Sequence, residues 1–490
     1  MAKTLSELGL TAKGGRDVPI SGLAVDSRDV RANMLFAALP GANVHGAAFI
    51  TYALRMGATA ILTDPEGAQI AADEIAEHDP AMVIVEDPRQ ALAYTAALWY
   101  GRQPEAMVAV TGTNGKTSVT NFTRQIWQLM GQRAINIGTT GVEGDWQTPS
   151  PNTTPEPITL HKMLYDAAVA GVTHGAMEAS SHGLSQRRLD GVRLMAAGFT
   201  NFTQDHLDYH ETFEAYFAAK AGLFTRVLTE DGVAVVNIDD AKGMEIETLC
   251  AERGIDVMRI GRSDAADLRI LGQRFDATGQ DLRVDFVGNI YQVRLDLIGG
   301  FQAENVMAAA GLVMACGGDP EEVFSCLPEL AGVRGRMQHA ATRGNGAAVF
   351  VDYAHTPDAV ATAIKALRPH VMGRVIAVIG AGGDRDTSKR PLMGQAAAEA
   401  ADVVFVTDDN PRSEDPADIR AAIMAGAPNA IEVADRSEAI LRAVDALQSG
   451  DALIVCGKGH ESGQVVGDIV YPFDDVEQAS ISVAALDGAL

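Results

Sequence analysis

Short runs of hydrophobic, often β-branched residues alternate along most of the chain with longer Ala-rich segments of helical spacing. This alternation is typical of α/β domains with parallel sheets. One series of runs predicts the strands of a central domain, namely AMVAVTG, RAINIG, HGAMEAS, AAGFTNF and VAVVNID. A second series predicts a C-terminal domain, with strands AAVFVDYAH, RVIAVIGAGG, VVFVTDDN and ALIVCGKGH. Because strands of the second series lead into polar or Gly-rich residues, a ligand site is expected at their carboxyl ends.

The length of 490 residues is typical of about three domains. Gly and Pro interrupt the pattern at GRQPEAM, and a poorly patterned stretch surrounds LAGVRGRMQHA. The predicted domains are therefore residues 1–101, 102–332 and 333–490. The first hundred residues contain no motif that suggests catalysis.

The composition excludes several classes of function. With 39 Lys+Arg against 64 Asp+Glu, the formal net charge of -25 argues against a nucleic-acid partner, which would need clustered positive charge. No apolar run approaches the roughly 20 residues that span a bilayer, and MAKTLSELGL does not resemble a secretory signal. The cysteines lack CxxC spacing, which argues against a disulfide framework and a thiolate zinc site: Cys250, Cys316, Cys326 and Cys456. We expect a cytoplasmic monomer without membrane insertion.

The strand AMVAVTG leads into GTNGKTS and then into a helical run, the order found in phosphate-binding loops. Glycine at 112 and 115 would let backbone N–H groups approach phosphates, Lys116 would meet the β/γ oxygens, and Thr117 would hold Mg²⁺. Val110 stands where the general pattern has Gly. The alternative is a glycine turn with a surface lysine. The candidate ATP contacts in the loop are Gly112, Thr113, Asn114, Gly115, Lys116, Thr117 and Ser118.

TGTNGKT resembles the phosphate loop of the Mur ligases and of their folylpolyglutamate synthetase relatives. The motifs MEASSHGL, NFTQDHLDYH, GFQAENVMAA, DYAHTPD, GGDRD, DNPR and GKGHE extend the resemblance over most of the chain, in the order of the MurE-type members of that family. The resemblance implies an N-terminal uridine-nucleotide-binding α/β domain, a central P-loop ATPase domain with a parallel sheet, and a C-terminal Rossmann-like domain that binds the amino acid.

The resemblance also implies an activity in peptidoglycan biosynthesis. With ATP and Mg²⁺, such enzymes add meso-2,6-diaminopimelate to the D-Glu γ-carboxylate of UDP-MurNAc-L-Ala-D-Glu. The carboxylate attacks the γ-phosphate to give an acyl phosphate, which the amine of the amino acid then attacks.

By the same resemblance, Lys116, Lys220 and His206 are the catalytic candidates, and Thr117, Glu178, His206 and a carbamylated Lys220 are the metal ligands. Carbamylation by CO₂ would turn an ammonium, which cannot bind a metal, into an anionic ligand. Without the family context, Glu178 would be interpreted as a solvated or capping residue and His206 as a core polar group. Helical periodicity alone places Lys220 on a helix surface.

Further ATP contacts implied by the family are Asn305, Arg336, Asp352 and His355. One departure is Arg334-Gly335-Arg336 where the family usually has Pro-Gly-Arg. Residues implied for the sugar nucleotide are Val25, Ser27, Ala42, Asn43, Val44, Asn152, Thr153, Thr154, Ser180, Gln186 and Arg188. Short polar side chains suit a uridine and a pyrophosphate, and an arginine suits an anion.

DNPR accompanies diaminopimelate specificity in the family. Its arginine suits this role, because a guanidinium can form two hydrogen bonds to the second carboxylate of this amino acid. The implied contacts are Arg385, Asp409, Asn410, Pro411, Arg412, Gly457 and Glu461. The alternative without a binding role is an Asn-Pro turn with a solvated arginine. For the whole protein, the alternatives are a ligase that uses L-lysine, a MurF-type or folylpolyglutamate ligase, a regulatory P-loop NTPase, and a nucleotide-binding module.

Overall fold

The computed structural model describes residues 2–41, 44–150, 152–203 and 209–488. Its main sheets have four, ten and six strands and follow one another along the chain. Helices cover the sheets, so the expected α/β class is confirmed. The domain limits drawn from the sequence stay predictions.

The N-terminal sheet is parallel, with strands in spatial order Leu23–Ala24, Leu35–Ala37, Ala60–Thr63 and Ala81–Ile84. A small antiparallel pair, Lys3–Thr4 with Pro19–Ile20, precedes it. The α-helices of this part are Ile50–Arg55, Pro65–Ile70, Ala72–His78 and Pro88–Tyr100. Short 3-10 turns lie at Ser6–Leu8, Lys13–Gly15, Ser27–Asp29 and Gly46–Phe49.

The central sheet contains all the strands predicted for this part of the chain. In spatial order its strands are Asn289–Leu295, Gln280–Phe286, Leu268–Phe275, Asp256–Gly261, Val233–Asn237, Ala196–Phe199, Ala106–Thr111, His174–Glu178, Ala134–Gly138 and Gly141–Gly144. Its α-helices are Lys116–Leu129, Pro157–Val169, Ser181–Ser185, Phe213–Gly222, Ala241–Glu252, Gln302–Ala315 and Pro320–Cys326. A π-helical turn, Leu223–Val227, and a 3-10 turn, Leu327–Glu329, complete this part.

The central sheet is mainly parallel, as expected, and becomes antiparallel only at its two edges. Leu268–Phe275, Gln280–Phe286 and Asn289–Leu295 form an antiparallel meander, and Gly141–Gly144 pairs antiparallel with Ala134–Gly138. Parallel strands need long crossover connections, whereas these neighbours are joined by short turns. The meander also alternates buried and exposed residues, which suits a sheet with one solvated face and differs from the continuous apolar runs of the interior strands.

The C-terminal sheet has spatial order Gln338–Thr342, Ala348–Asp352, Ala452–Cys456, Val375–Ile379, Val403–Val406 and Ile431–Glu432. The first pair is antiparallel and the others are parallel, and the strands predicted here are confirmed. The α-helices are Pro357–Leu367, Lys389–Ala400, Pro416–Met424, Arg436–Asp445 and Asp475–Leu486, with a 3-10 turn at Arg368–His370. A separate hairpin pairs Gly463–Val466 with Ile469–Pro472.

The interior of the central part places the phosphate loop on a rigid base. Val108 and Val110 of the middle strand are fully buried against Phe122 of the following helix, in one core with Leu312. The four cysteines are free thiols. Within the described ranges, no helix combines the length and the apolar character that crossing a bilayer would require.

Candidate functional site

The phosphate loop lies between a central strand and the helix that follows it, as predicted. Gly112 and Gly115 have φ angles of 145° and 86°, in the region that favours glycine. A Cβ on Gly112 would lie 1.9 Å from Thr200 Oγ1, so a side chain has no room there. Lys116 Nζ donates to the carbonyl oxygens of Gly112 and Thr113 at 2.9 and 2.8 Å. The lysine is therefore held over the loop by its own backbone.

Glu178 lies at the end of its strand, beside the phosphate loop. Its side chain is buried, and Oε1 accepts hydrogen bonds from Thr117 Oγ1 at 3.0 Å and from the backbone N of Thr139 at 2.9 Å. The solvated alternative is therefore wrong for this carboxylate. Since Mg²⁺ prefers oxygen ligands, the donor set of Glu178 and Thr117 fits this cation.

Lys220 is buried and not on the helix surface, so the interpretation from periodicity alone was wrong. Its Nζ donates to the carbonyl oxygen of Gly112 at 2.7 Å and lies 4.5 Å from the centroid of the Tyr216 ring. The helix packs this face against the phosphate loop, a tertiary contact that no local pattern reveals. The predicted ligand His206 lies outside the described residues. Across the described ranges, no group of three or more His, Cys, Asp and Glu residues could hold a metal ion.

Residues of the C-terminal part complete the surroundings of the loop. Arg336 Nη2 donates to Thr117 Oγ1 at 3.1 Å, and its guanidinium lies 4.5 Å from the centroid of the Tyr353 ring. Asp352 accepts two backbone N–H groups at 2.7 and 2.8 Å. Burial raises the pKa of Asp352, and the positive charge of Arg336 opposes that shift. The unusual Arg334 does not displace Arg336 from the loop.

A cavity of about 490 Å³ collects these groups. Its walls contain most of the predicted ATP and metal residues, namely Thr113, Asn114, Gly115, Lys116, Thr117, Ser118, Glu178, Asn305, Arg336, Asp352 and His355. Gly112 and Lys220 are not among its lining residues. Thr139, Phe301 and Tyr353 also line the cavity and were not predicted. Tyr353 belongs to the quoted motif DYAHTPD, so its neighbours in that motif could have indicated it.

The structure does not bring all the residues proposed for the sugar nucleotide together in one cavity. Val25, Gln186 and Arg188 line a separate cavity of about 260 Å³, together with Arg89, which was not predicted. Arg188 donates to Gln186 Oε1 at 2.8 Å. Burial lowers the pKa of the Arg188 guanidinium, and the charge of Arg89 acts in the same direction. Two arginines at one cavity favour an anionic ligand.

Thr153 and Ser180 line the phosphate-loop cavity instead. Ser27, Val44, Asn152 and Thr154 line none of the three cavities described here. The side chain of Thr154 is buried and donates to the carbonyl oxygen of Glu178 at 2.8 Å, so it holds the strand end. Ala42 and Asn43 lie outside the described residues.

The largest of the three cavities, about 700 Å³, lies at the carboxyl ends of the C-terminal strands. The predicted amino-acid residues at its walls are Arg385, Asp409, Asn410, Arg412, Gly457 and Glu461. Pro411 is buried in the turn and does not line it. His182, Ser388 and Lys389 line the cavity and were missed. His182 comes from the central part of the chain, which only the tertiary structure could reveal.

Arg412 is half-buried and structurally held, which contradicts the alternative of a solvated side chain. Its Nη1 donates to the carbonyl oxygen of Gly383 at 2.7 Å. Its φ of 53° is unusual for a side-chain-bearing residue, and the backbone is held on both sides by the neighbouring hairpin. Burial raises the pKa of Glu461 on the facing wall.

The two larger cavities adjoin. Tyr353, His355, Thr356 and Asp358 line both of them. A phosphate-binding loop and a pocket with acidic, amide and guanidinium groups therefore share one wall. This arrangement can place a phosphorylated carboxylate next to an incoming amine.

Comparisons with known proteins agree with this arrangement. The model of the Mur ligase middle domain matches residues 110–313, that of the Mur ligase glutamate ligase domain residues 335–459, and that of the Mur ligase family catalytic domain residues 19–100. A relative from Caulobacter vibrioides, named UDP-N-acetylmuramoyl-L-alanyl-D-glutamate–2,6-diaminopimelate ligase, is 48% identical, and the match covers 100% of this chain and 99% of the relative. The chain belongs to the Mur ligase family.

A second relative and a solved structure have the same name as the first relative. A relative of the same name from Bradyrhizobium diazoefficiens is 47% identical over 95% of each chain. A solved structure of a ligase with that name superposes with a TM-score of 0.72 at 33% identity, covering 99% of each chain. A folylpolyglutamate synthase from Mycobacterium tuberculosis complexed with ADP shares the fold, with a TM-score of 0.64, 19% identity, and coverage of 82% of this Mur ligase and 95% of the synthase.

Proposed function

We propose that this Mur ligase is an ATP-dependent enzyme that joins meso-2,6-diaminopimelate to the D-Glu γ-carboxylate of UDP-MurNAc-L-Ala-D-Glu in peptidoglycan biosynthesis. The observation that carries the proposal is the shared wall between the phosphate-loop cavity and the cavity lined by Arg412. Two relatives whose names describe this ligase match nearly the whole length of the chain, which supports the proposal. We further propose that the enzyme works in the cytoplasm as a monomer, without nucleic-acid or membrane partners.

The phosphate-loop cavity would bind ATP and the acceptor carboxylate. Backbone N–H groups of the loop and the Lys116 ammonium would neutralise the phosphate oxygens, and Arg336 would add a second cation. The carboxylate of the substrate attacks the γ-phosphorus, ADP leaves, and an acyl phosphate forms. Most of the rate enhancement would come from positioning and charge neutralisation, because phosphoryl transfer requires little covalent chemistry from the protein.

Mg²⁺ would be held by Glu178 and Thr117, whose oxygens meet beside the loop, with carbamylated Lys220 and His206 as further proposed ligands. The metal would supply charge neutralisation at the phosphates. Lys220 is placed close to the loop by its hydrogen bond to the carbonyl oxygen of Gly112. A carbamate at that position would carry the negative charge that an ammonium lacks.

The cavity lined by Arg412 would bind the amino acid. Arg412 would pair with the distal carboxylate of diaminopimelate, Asn410 would hydrogen-bond to its carboxylate group, and the Glu461 carboxylate would attract its amino group. The free α-amine then attacks the acyl phosphate across the shared wall, and phosphate leaves as the amide forms. The smallest cavity, with Arg89 and Arg188, would bind the anionic sugar nucleotide.

The test measures phosphate release with purified UDP-MurNAc-L-Ala-D-Glu against a panel of meso-diaminopimelate, L-lysine and other diamino acids. The proposal expects turnover only when both substrates are present, with diaminopimelate preferred. ATP hydrolysis without them would indicate a regulatory NTPase, and equal use of L-lysine would contradict the proposed specificity.

A further inference from the structure

We propose that Lys458, which does not line the amino-acid cavity, is a positioning residue that orients the side-chain amide of Asn410 and so controls amino-acid binding. The proposal rests on the function proposed above. Lys458 follows the strand Ala452–Cys456, and its side chain is completely buried. Its Nζ donates to Asn410 Oδ1 and to the carbonyl oxygen of Gly463, both at 2.8 Å.

The contacts around Asn410 allow one orientation of its amide. The Oδ1 atom accepts from Lys458 Nζ and from the backbone N of Val465 at 2.9 Å, while Nδ2 donates to Glu461 Oε2 at 2.8 Å. A flipped amide would place its N–H groups against two donors and its oxygen against a carboxylate. Lys458 therefore directs the N–H groups of Asn410 toward the cavity wall.

The ammonium of Lys458 also lies between two carboxylates of the site. Its Nζ is 3.7 Å from Asp409 Oδ1 and 3.9 Å from Glu461 Oε2. Burial lowers the pKa of Lys458 and raises that of Glu461, and the attraction between these groups opposes both shifts. The buried cation thus favours a charged Glu461, the form that attracts an ammonium of the amino acid.

Lys458 further connects this wall to the hairpin that holds Arg412. Gly463, whose carbonyl oxygen accepts from Lys458, is the first residue of the first hairpin strand. In the same strand, the carbonyl oxygen of Val465 accepts from the backbone N of Arg412 at 3.0 Å. Gln464 Nε2 donates to the carbonyl oxygen of Asp409 at 2.7 Å. One buried side chain therefore links the orientation of Asn410 to the backbone that presents the proposed specificity residue.

The test compares two variants. Lys458→Met keeps a side chain of similar length but removes the charge and the hydrogen bonds to Asn410 and Gly463. Lys458→Gln removes the charge but keeps an N–H donor. We expect the KM for diaminopimelate to rise about tenfold in the Met variant and less in the Gln variant. The KM values for ATP and for the sugar nucleotide should stay within about twofold, because their cavities do not contain this network. A general loss of stability would not produce such a split.

Arg374→Met is the matched control for stability. It breaks a hydrogen-bonded ion pair with Asp451, at 2.7 Å, at the opposite end of the strand that Lys458 follows, and Arg374 lines none of the three cavities. We expect a lower Tm with an unchanged KM for diaminopimelate. A folded Lys458→Met enzyme with the wild-type KM would overturn the proposal. Where the Met variant does not fold, the Gln variant decides, because loss of the charge alone should still raise that KM.

A crystal structure of the Lys458 variant separates this proposal from the proposed function. We expect the Asn410 amide to leave Glu461 in the Met variant. An unchanged hydrogen bond between Asn410 and Glu461 would overturn the positioning role, whatever amino acid the enzyme uses. Wild-type enzyme that does not ligate diaminopimelate would contradict the proposed function instead.

Discussion

The two adjoining cavities are built in different ways. At the phosphate-loop cavity, one continuous motif, residues 113–118, forms a large part of the wall, and the neighbouring Gly112 has no space for a side chain. At the amino-acid cavity, side chains from several strand ends supply it, and buried charges hold them, as Lys458 holds Asn410. Phosphate is common to many substrates and suits a preformed backbone cradle, whereas discrimination between amino acids requires side chains in one defined orientation.

Substitutions at the two cavities should therefore have different effects on activity. Loss of a cation at the phosphate loop should remove the chemical step for every amino acid. Loss of a group at the second cavity should change the choice of amino acid and leave phosphoryl transfer possible.

The largest effect is expected for Lys116→Ala. The substitution removes the cation that faces charge developing on the phosphates, so kcat should fall by about a thousandfold with diaminopimelate and with lysine alike. Phosphate release measures the rate, and thermal unfolding should show an intact fold. Lys162→Ala, which removes an exposed lysine paired with Asp166, should keep full activity. Near-wild-type turnover by folded Lys116→Ala would remove this loop from the mechanism.

Lys220→Ala should reduce kcat by about a hundredfold, because the proposed metal site would lose an anionic ligand. Wild-type activity should also fall in buffer depleted of CO₂ and recover with bicarbonate. Lys242→Ala is the matched control, since Lys242 also lies over an aromatic ring, 4.4 Å from the centroid of Phe217, but outside the site. A crystal structure of active enzyme with an unmodified Lys220 amine would defeat the carbamate hypothesis.

Arg412→Ala should lower kcat/KM for diaminopimelate by at least about tenfold, as expected for a lost charge-assisted pair worth roughly 1.5–3 kcal/mol. Lysine lacks the distal carboxylate, so its poorer use should change less. The exposed Arg442, which pairs with Glu438 on a C-terminal helix, provides the control variant Arg442→Ala. Equal losses for both amino acids would show that Arg412 supports the fold of the cavity and not its specificity.

The smallest effect concerns His460, which contacts Tyr353 at the wall between the cavities, with a ring distance of 5.0 Å. Burial lowers the pKa of His460 to about 4, and the charges of Arg336 and Arg334 act in the same direction. In the unfolded chain this ring binds a proton with the usual pKa of about 6.5. Between about pH 6.5 and pH 4 the folded state therefore binds fewer protons than the unfolded state. The free energy of unfolding should therefore fall as the pH drops from about 6.5 to about 4.

His460→Phe should reduce this loss by about 1–2 kcal/mol, measured by urea denaturation across that pH range. The surface residue His78 gives the control His78→Phe, for which the loss should match that of the wild type. An unchanged pH dependence in His460→Phe would mean that protonation of this ring does not oppose folding.

Sequence patterns predicted the regular elements well where hydrophobic runs are continuous. Every strand predicted in the central and C-terminal parts is present, because such runs are typical of strands buried on both faces. The antiparallel meander from Leu268 to Leu295 was missed, since its half-exposed pattern is weaker and its pairing depends on neighbours.

By itself, the sequence determined the phosphate loop, because the strand, the glycines and the helix of that motif are adjacent in the chain and their geometry is local. Tertiary structure alone decided the environment of Lys220, the entry of His182 into the amino-acid cavity, and the contact between Arg336 and Thr117. Their partners lie far away along the chain, and burial depends on packing that periodicity does not encode. The buried ammonium of Lys458 is of the same kind, because only the assembled strand ends and hairpin provide its partners.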